Sequence, residues 1–271
     1  MNVQNTLDTC RAEGRAALVG YLPVGYPDVP TSIAAMTAMV EAGVDIVEVG
    51  LPYSDPLMDG PVIQRAAEGA LAAGTRVDDV FLACRALADT GTPALVMTYW
   101  NPVLRRGVDA FARALAASGA AGLITPDLIP DEAADWIAAS DAYGLDRVFL
   151  VAPSSTRERL VNATAASRGF VYTASLMGVT GTRESVGSAA ESVVARTREV
   201  TDLPVCVGLG VSNGDQAAVV GEFADGVIVG SALVRTLVEA ATPDEGIGRL
   251  RDLAADLASG VRRSRERVTM S

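Results

Sequence analysis

Residues 44–60 read VDIVEVGLPYSDPLMDG, and the fold is predicted from the way this stretch begins. Its first seven residues have the apolar, valine-rich composition of a β-strand that is covered on both faces. Strand alternation places Ile46 and Glu48 on one face, and Val47 and Val49 on the other. If the two valines face a covering layer of helices, Glu48 points to the inside, near the carboxyl end of its strand.

Seven more runs of this kind recur along the chain, separated by segments with helical periodicity. These runs are AALVGYL (16–22), PALVMTY (93–99), AAGLITP (120–126), DRVFLVA (146–152), GFVYTAS (169–175), LPVCVGL (203–209) and DGVIVGS (225–231). Eight strand-then-helix units predict an α/β fold, a single (β/α)8 TIM barrel over residues 1–271 with an extra N-terminal helix (3–13). A closing helix is expected over 245–259. The alternative is a doubly wound open sheet, which the lack of a GxGxxG or P-loop motif disfavours.

The composition excludes several kinds of chemistry. The chain has 271 residues, a net charge of −11, no histidine and no lysine, so that all 22 basic residues are arginine. The acidic balance disfavours a nucleic-acid partner, and no apolar run approaches the ~20 residues of a membrane span. A Ser-His-Asp triad, a histidine-ligated zinc site and a Schiff-base lysine are excluded, and no other metal site is predicted. Acid–base chemistry must therefore come from carboxylates, tyrosine, cysteine, backbone groups or water.

The cysteines indicate a compartment. Cys10, Cys84 and Cys206 are odd in number, far apart and in no CxxC pair. The chain does not open with a basic region followed by an apolar run, as a signal peptide would. These features predict a cytoplasmic protein with reduced, mostly buried thiols.

Two carboxylates in the opening stretch are candidates for catalysis. A glutamate inside a barrel is costly unless it is paired, hydrogen-bonded or protonated, and burial should raise the pKa of Glu48 toward neutrality. Such a group can donate and accept protons. The alternative is a structural glutamate that is bound to a neighbouring hydroxyl. Asp59 belongs to an ordinary Asp-Gly turn pair, and it becomes a candidate because its loop is expected to lie over Glu48.

Glycine-containing turns follow three consecutive strands, six to eight. They are MGVTG (177–181), GLG (208–210) and GS (230–231). Barrels often bind phosphate between the loops after strands seven and eight and a short helix. Gly210, Gly230 and Ser231 could direct backbone N–H groups at one anion, helped by a helix that begins near Ser231. The alternative is that each glycine only makes a tight turn.

The stretch VEVGLPYSDPLMDGPVIQ (47–64) closely resembles the signature of the tryptophan synthase alpha subunit family. The resemblance continues through YLPVGYPD (21–28), MTYWNPV (97–103), LITPDLIP (123–130), VYTASLMGVTG (171–181), VGLGVSN (207–213) and DGVIVGSALV (225–234). It implies a (β/α)8 barrel that cleaves indole-3-glycerol phosphate to indole and glyceraldehyde 3-phosphate, a retro-aldol reaction without a cofactor.

The same resemblance implies roles for individual residues. Glu48 matches the family's catalytic acid–base, and Asp59 the carboxylate that binds the indole N–H. Tyr172 matches a tyrosine of the active site, and Tyr21 an aromatic residue of the indole pocket. The family's phosphate contacts fall on Gly181, Gly210, Gly230 and Ser231.

A partner is implied as well. The family pairs with a pyridoxal phosphate-dependent beta subunit in an alpha2beta2 complex, to which indole passes for tryptophan synthesis. The expected interface comprises the loop 126–131 and loop residues at the barrel mouth, namely Pro52, Tyr53, Ser54, Asp55, Tyr99, Trp100, Asn101 and Pro102. The alternative for Tyr99 and Trp100 is packing against neighbouring loops.

Three other functions are alternatives to the coupled lyase that the resemblance implies. A stand-alone lyase that releases indole would have the same catalytic residues, and high activity without a beta subunit would identify it. A phosphosugar isomerase is disfavoured because such enzymes often use lysine or histidine. A catalytically dead binding subunit is disfavoured by the presence of Glu48 and Asp59.

Overall fold

The computed structural model describes residues 3–174, 183–208 and 210–264, of which 183–188 are described by their backbone alone. These residues form nine strands, twelve α-helices and one short 3-10 helix (Pro130–Glu132). The strands are β1 (Ala17–Pro23), β2 (Ile46–Gly50), β3 (Ala94–Met97), β4 (Gly122–Ile124), β5 (Asp146–Val148), β6 (Leu150–Val151), β7 (Val171–Ala174), β8 (Val205–Gly208) and β9 (Gly226–Val229). Each lies within or overlaps one of the eight predicted runs, so the predicted strands are confirmed.

Most of the helices follow a strand and cover the outside of the sheet. They are α1 (Val3–Ala12), α2 (Val29–Glu41), α3 (Pro61–Ala72), α4 (Val77–Thr90), α5 (Trp100–Arg106), α6 (Val108–Ala117), α7 (Ala134–Tyr143), α8 (Arg157–Ala166), α9 (Arg183–Arg198), α10 (Gly214–Phe223), α11 (Ser231–Val238) and α12 (Pro243–Arg263). The closing helix is therefore longer than the predicted 245–259. None of the described helices is long and apolar enough to cross a membrane.

All the strand pairs are parallel, and the strand order is β5-β4-β3-β2-β1-β9-β8-β7-β6. β5 and β6 are two parts of the fifth predicted strand, interrupted at Phe149. β5 pairs with β4, whereas β6 pairs with β7. The Phe149 carbonyl accepts a hydrogen bond from the backbone N–H of Tyr172 at 3.2 Å. The sheet thus closes through one interrupted strand, and the predicted eight-stranded TIM barrel is confirmed.

The two faces of the strands pack into different apolar clusters. Val47 and Val49 of β2 pack in the outer cluster, between the sheet and the helices, as the alternation predicts. Ile46 packs in the inner cluster, inside the barrel. The inner cluster also contains Val3, Leu7 and Cys10, which lie on one side of α1. Helix α1 therefore closes the amino-terminal end of the barrel, its floor, and leaves the carboxyl end, its mouth, for the long loops.

Candidate active site

Glu48 lies inside the barrel near its mouth, where strand alternation places it. Its side chain is 1% exposed, and β1 aligns Tyr21 beside it in the parallel register. Within the described part of the chain, Glu48 Oε1 is buried and has no hydrogen-bond partner. Loss of hydration raises the pKa of Glu48 from 4.5 to about 8. The carboxyl group is therefore mostly protonated at neutral pH, and it can act as a proton donor and then as an acceptor.

Asp59 lies in the loop between β2 and α3 and is half-buried. Its Oδ1 accepts a hydrogen bond from the hydroxyl of Tyr99 at 3.2 Å, and its backbone carbonyl accepts one from Gln64 Nε2 at 2.8 Å. Burial raises the pKa of Asp59, whereas the hydrogen bond from Tyr99 lowers it. The loop thus holds a second carboxylate at the mouth, with one oxygen already occupied by a protein donor.

Tyr21 connects the two carboxylates. It is 9% exposed, and burial raises its pKa well above 10, with further upward effects from the charges of Asp59 and Glu48. Both acids therefore lie close enough to act on the same hydroxyl. Gly50 leaves room for that ring, since a Cβ at position 50 would lie 2.4 Å from Tyr21 Oη. The predicted aromatic residue of the pocket and the two predicted catalytic acids thus occupy one site.

Tyr172 completes the ring of polar side chains at the mouth. Burial raises its pKa well above 10, and the charges of Glu48, Cys206 and Tyr21 raise it further. Gly208 on the adjacent strand β8 makes space for it, because a Cβ there would lie 2.7 Å from Tyr172 Oη. Tyr172 therefore lies near Glu48, as the predicted site requires.

The predicted phosphate residues lie beside this group, at the start of α11. Gly230 is the N-cap of α11, and Ser231 is the first residue of the helix. Gly210 has a positive φ of 69° and lines, together with Ser231, a cavity of about 360 Å³. The free N–H groups of the first helical turn make this end favourable for an anion. Gly181, the fourth predicted phosphate contact, lies outside the described residues.

The phosphate residues adjoin the acids through Tyr21. A Cβ at Gly230 would lie 3.4 Å from Tyr21 Cδ1, so the start of α11 borders the tyrosine that both carboxylates influence. Arg235, one turn further along α11, also lines the cavity. In the described ranges, no group of three cysteine, aspartate or glutamate side chains is placed to hold a metal ion.

Residues predicted at a partner interface form a connected group of loops at the mouth. The rings of Tyr53 and Tyr99 lie 5.1 Å apart, and Asn101 Nδ2 donates a hydrogen bond to Tyr53 Oη at 3.2 Å. Ser54 donates a hydrogen bond to the Asp55 carboxylate at 2.6 Å. Exposure differs along the group: Ser54, Asp55 and Asn101 are exposed, Tyr53, Trp100 and Pro102 are partly exposed, and Pro52 and Tyr99 are buried. Their place in an interface stays a prediction.

Three features of the mouth were not found from the sequence. The Tyr99 hydroxyl binds the Asp59 loop across 40 positions of the chain. Asp127 accepts the backbone N–H of Trp100 at 2.9 Å and so fixes the start of α5. Leu57 is 79% exposed and Ile129 is 53% exposed, which adds apolar surface to the mouth loops. The sequence signal for the last feature was the apolar residue within each polar loop.

Comparisons with known proteins agree on one family. Residues 7–262 match the family model described as Tryptophan synthase alpha chain. The tryptophan synthase alpha chain of Mycobacterium marinum is 65% identical over 255 residues, which cover 94% of this chain and 93% of the relative. A structure of Mycobacterium tuberculosis tryptophan synthase superposes with a TM-score of 0.90 at 62% identity, covering 96% of this chain and 98% of that one. A tryptophan synthase alpha chain from Legionella pneumophila is 31% identical, with a TM-score of 0.87 over 96% of this chain and 97% of its own.

Proposed function

Because this chain belongs to the tryptophan synthase alpha chain family, we propose that Glu48 and Asp59 perform the family's lyase reaction at the barrel mouth. The enzyme cleaves indole-3-glycerol phosphate to indole and glyceraldehyde 3-phosphate, and indole passes to a beta subunit for tryptophan synthesis. The observation that carries the residue assignment is the buried Glu48 carboxyl group, whose Oε1 has no partner among the described residues and whose pKa is about 8.

Glu48 begins the reaction as an acid. It gives its proton to C3 of the indole ring, which converts the ring to an indolenine cation. The bond between C3 and the glycerol side chain then breaks, and its electron pair returns to the ring to regenerate indole. The hydroxyl on the side-chain carbon of that bond loses its proton to the Glu48 carboxylate, and the carbon becomes the aldehyde of glyceraldehyde 3-phosphate. The reaction neither consumes nor releases a proton, because Glu48 is protonated at its end as at its start.

Asp59 stabilises the charge that forms on the ring. Protonation at C3 places positive charge on the indole nitrogen, and a nearby carboxylate favours that state over the neutral substrate. One oxygen of Asp59 accepts a hydrogen bond from Tyr99, and no donor among the described residues binds the other, which is proposed to accept the ring N–H. Tyr21 lies near both acids and Tyr172 lies near Glu48, and the two tyrosines are proposed to position the ring and the side chain.

The phosphate group is proposed to bind at the start of α11. Gly210, Gly230 and Ser231 offer backbone N–H groups there, and Gly181 belongs to the same proposal from the family motif. The chain has no lysine, so a helix terminus is a suitable source of positive potential. Because Gly230 borders Tyr21, a phosphate at this end would leave the ring of the same molecule near the carboxylates.

The partner of the chain is the beta subunit, which holds the pyridoxal phosphate, whereas the alpha chain family has no cofactor. The mouth loops that carry Pro52–Asp55, Tyr99–Pro102 and residues 126–131 are proposed as the contact surface. These loops expose the apolar side chains of Leu57 and Ile129, and apolar surface rimmed by polar residues supports a protein–protein contact there.

Two coarser expectations complete the proposal. Residues 1–271 are proposed to form one domain, which is supported by the single barrel of the described strands. A cytoplasmic location is proposed from the cysteines, since Cys10, Cys84 and Cys206 are buried free thiols.

The test of the assignment is Glu48→Gln, with Glu68→Gln as the matched control on an exposed face of α3. Loss of the proton donor should slow single-turnover indole release by roughly 100-fold to 10,000-fold. Binding of glyceraldehyde 3-phosphate, measured by calorimetry, should persist in both variants, because the phosphate residues are unchanged. Wild-type cleavage by Glu48→Gln would overturn the role of Glu48.

The same assay, run with and without a cognate beta subunit, addresses the stand-alone alternative. Weak indole release that rises strongly when the beta subunit is added would support coupling through the mouth loops. High activity of the isolated chain would identify a lyase that acts alone. Inactivity in both conditions would favour a binding subunit.

A further inference from the structure

The hydroxyl group of Tyr99 lies at the centre of the mouth loops, and we propose that Tyr99 is the positioning residue for the Asp59 carboxylate. This inference rests on the proposed function, since it assigns Tyr99 to the reaction through Asp59. Tyr99 follows β3, whereas Asp59 lies in the loop after β2, and these two strands are neighbours in the barrel.

Three hydrogen bonds define the role of this hydroxyl. Tyr99 Oη accepts the backbone N–H of Leu57 at 3.1 Å and that of Met58 at 3.0 Å, and it donates to Asp59 Oδ1 at 3.2 Å. A phenol has one proton and accepts through its oxygen lone pairs. Because two N–H groups occupy the acceptor side, the proton is directed at Asp59. The hydroxyl is thus a fixed donor to Asp59 and does not turn toward solvent.

Tyr99 follows the end of β3, which fixes its backbone, and its ring also contacts Tyr53 at the start of the loop that it organises. Its side chain is 5% exposed, and its ring packs against Tyr53 with a centroid distance of 5.1 Å. Leu51 N donates to the carbonyl of Met97 at 3.0 Å, which ties the end of β2 to the end of β3. The next residue, Trp100, is fixed by Asp127. The loop residues that Tyr99 contacts, Leu57 and Met58, are by contrast exposed.

The consequence for Asp59 is both geometric and electrostatic. A fixed donor on Oδ1 sets the plane of the carboxylate, and it leaves Oδ2 for the ring N–H of the substrate. Hydrogen bonding to the charged form also opposes the effect of burial, so Tyr99 favours an ionised Asp59. Among the residues that the structure describes, the titratable groups that face Asp59 are Tyr99 and Tyr21, and the charge of Glu48 acts on Tyr21 as well.

The test is Tyr99→Phe, which keeps the ring and removes the hydroxyl. A lost hydrogen bond to a charged group predicts a fall in kcat/KM of roughly 10-fold to 100-fold. The acidic limb of the pH profile of kcat/KM should move to higher pH, because the pKa of Asp59 is no longer lowered. The matched control is Tyr143→Phe, which removes a tyrosine–aspartate hydrogen bond of 2.9 Å to Asp109 between outer helices. That control should keep the wild-type rate and pH profile.

A double-mutant cycle with Asp59→Asn separates positioning from general structural support. If Tyr99 acts through Asp59, Tyr99→Phe should cost little further activity in the Asp59→Asn background. An equal loss in both backgrounds, or an unshifted pH profile, would overturn the inference while leaving the roles of the acids intact. Wild-type activity of Asp59→Asn would instead overturn the proposed function of Asp59, and with it the positioning role.

Discussion

At the floor of the barrel, Asp45 accepts two hydrogen bonds from Arg15, each 2.8 Å long, and a third from the backbone N–H of Leu18. Three residues later, at the mouth, Glu48 is buried with an oxygen that has no partner among the described residues. The two acids lie at opposite ends of the same strand region. One is paired with a cation and bonded from the backbone, whereas the other is kept neutral by burial.

A second carboxylate at the floor is paired with arginine, as Asp45 is. Asp225, which precedes β9, lies 3.0 Å from Arg198 and 3.5 Å from Arg11, and it accepts the backbone N–H of Val205 at 3.0 Å. Ion pairs at the floor connect Asp225 to Arg11 of α1 and to Arg198 of α9, whereas burial of the unpaired Glu48 at the mouth costs stability, a cost that we propose catalysis requires. The difference shows that the role of a buried carboxylate follows from its partners.

The largest expected effect comes from breaking the floor pair with Asp45→Asn. The Asp45 and Arg15 side chains are 13% and 11% exposed, so loss of the negative charge removes the buried partner of the guanidinium and leaves it, among the described residues, only the exposed Glu13 carboxylate at 2.7 Å. The free energy of unfolding should fall by roughly 3 kcal/mol. Urea denaturation measures this change, and kcat of the folded enzyme should remain near that of the wild type. A change below about 1 kcal/mol would mean that pairing at the floor contributes little.

The next effect is a gain in stability for Glu48→Gln that depends on pH. In the unfolded chain Glu48 ionises near its ordinary pKa of 4.5, whereas in the folded chain it retains its proton up to about 8. Wild-type stability therefore falls as the pH rises between these values, and the glutamine variant lacks that fall. The variant should gain on the wild type by roughly 3 kcal/mol between pH 4.5 and pH 7.

The measurement for Glu48→Gln is a series of denaturation curves across that pH range. The comparison uses the slope of the free energy of unfolding against pH. A cost of burying the amide that does not depend on pH leaves this slope unchanged. Glu68→Gln, on an exposed helix face, should follow the wild-type slope. Parallel slopes for Glu48→Gln and the wild type would show that Glu48 is ionised when folded, and the contrast between floor and mouth would fail.

A smaller effect is expected from crowding the mouth with Gly50→Ala. The added Cβ would lie 2.4 Å from Tyr21 Oη, so the tyrosine between the two acids must shift. Misplacement of a side chain that positions substrate predicts a loss in kcat/KM of roughly 10-fold. Gly248→Ala is the control, because a Cβ there meets no atom within 4 Å. Steady-state kinetics at one pH distinguish the two variants, and equal rates would remove Tyr21 from the site.

The smallest effect is expected from breaking an ion pair that is short but exposed to solvent. Asp78 lies 2.6 Å from Arg106, yet its side chain is 74% exposed. Asp78→Asn should change the free energy of unfolding by less than about 1 kcal/mol, because water screens the pair. Urea denaturation of Asp78→Asn and Asp45→Asn under the same conditions compares the two ion pairs. The comparison tests whether burial, and not the distance between the charges, makes the Asp45–Arg15 pair contribute more to stability. Similar losses in the two variants would contradict that view.

Much of the barrel could be predicted from the sequence because burial on both faces leaves a simple signal. Run 203–209 is apolar throughout, and run 44–50 is apolar except for Asp45 and Glu48; the structure places β8 and β2 within them. The strands are shorter than the runs at several carboxyl ends, where the chain leaves the ladder to form mouth loops. The interruption at Phe149 was not predictable, because it marks the change of pairing partner from β4 to β7, which no residue type in the run indicates.

The site was predictable in part for a related reason. The depth of Glu48 follows from alternation alone, since its neighbours on the opposite face are valines. The hydrogen bonds of Tyr99 to the Asp59 loop could not be predicted, because they join positions 40 residues apart that only the closed barrel brings together. The fit of Tyr21 against Gly50 likewise depends on the register between β1 and β2, which no local pattern encodes.

The interruption at Phe149 also bears on association between molecules. An open sheet ends in strands whose backbone groups can recruit a strand from another chain, a common route to aggregation. In this barrel the two ends of the strand order are consecutive segments of one run, on either side of Phe149. Within the described residues the sheet consequently presents no outer strand for such templating, so a second polypeptide would have to recognise loops and side chains.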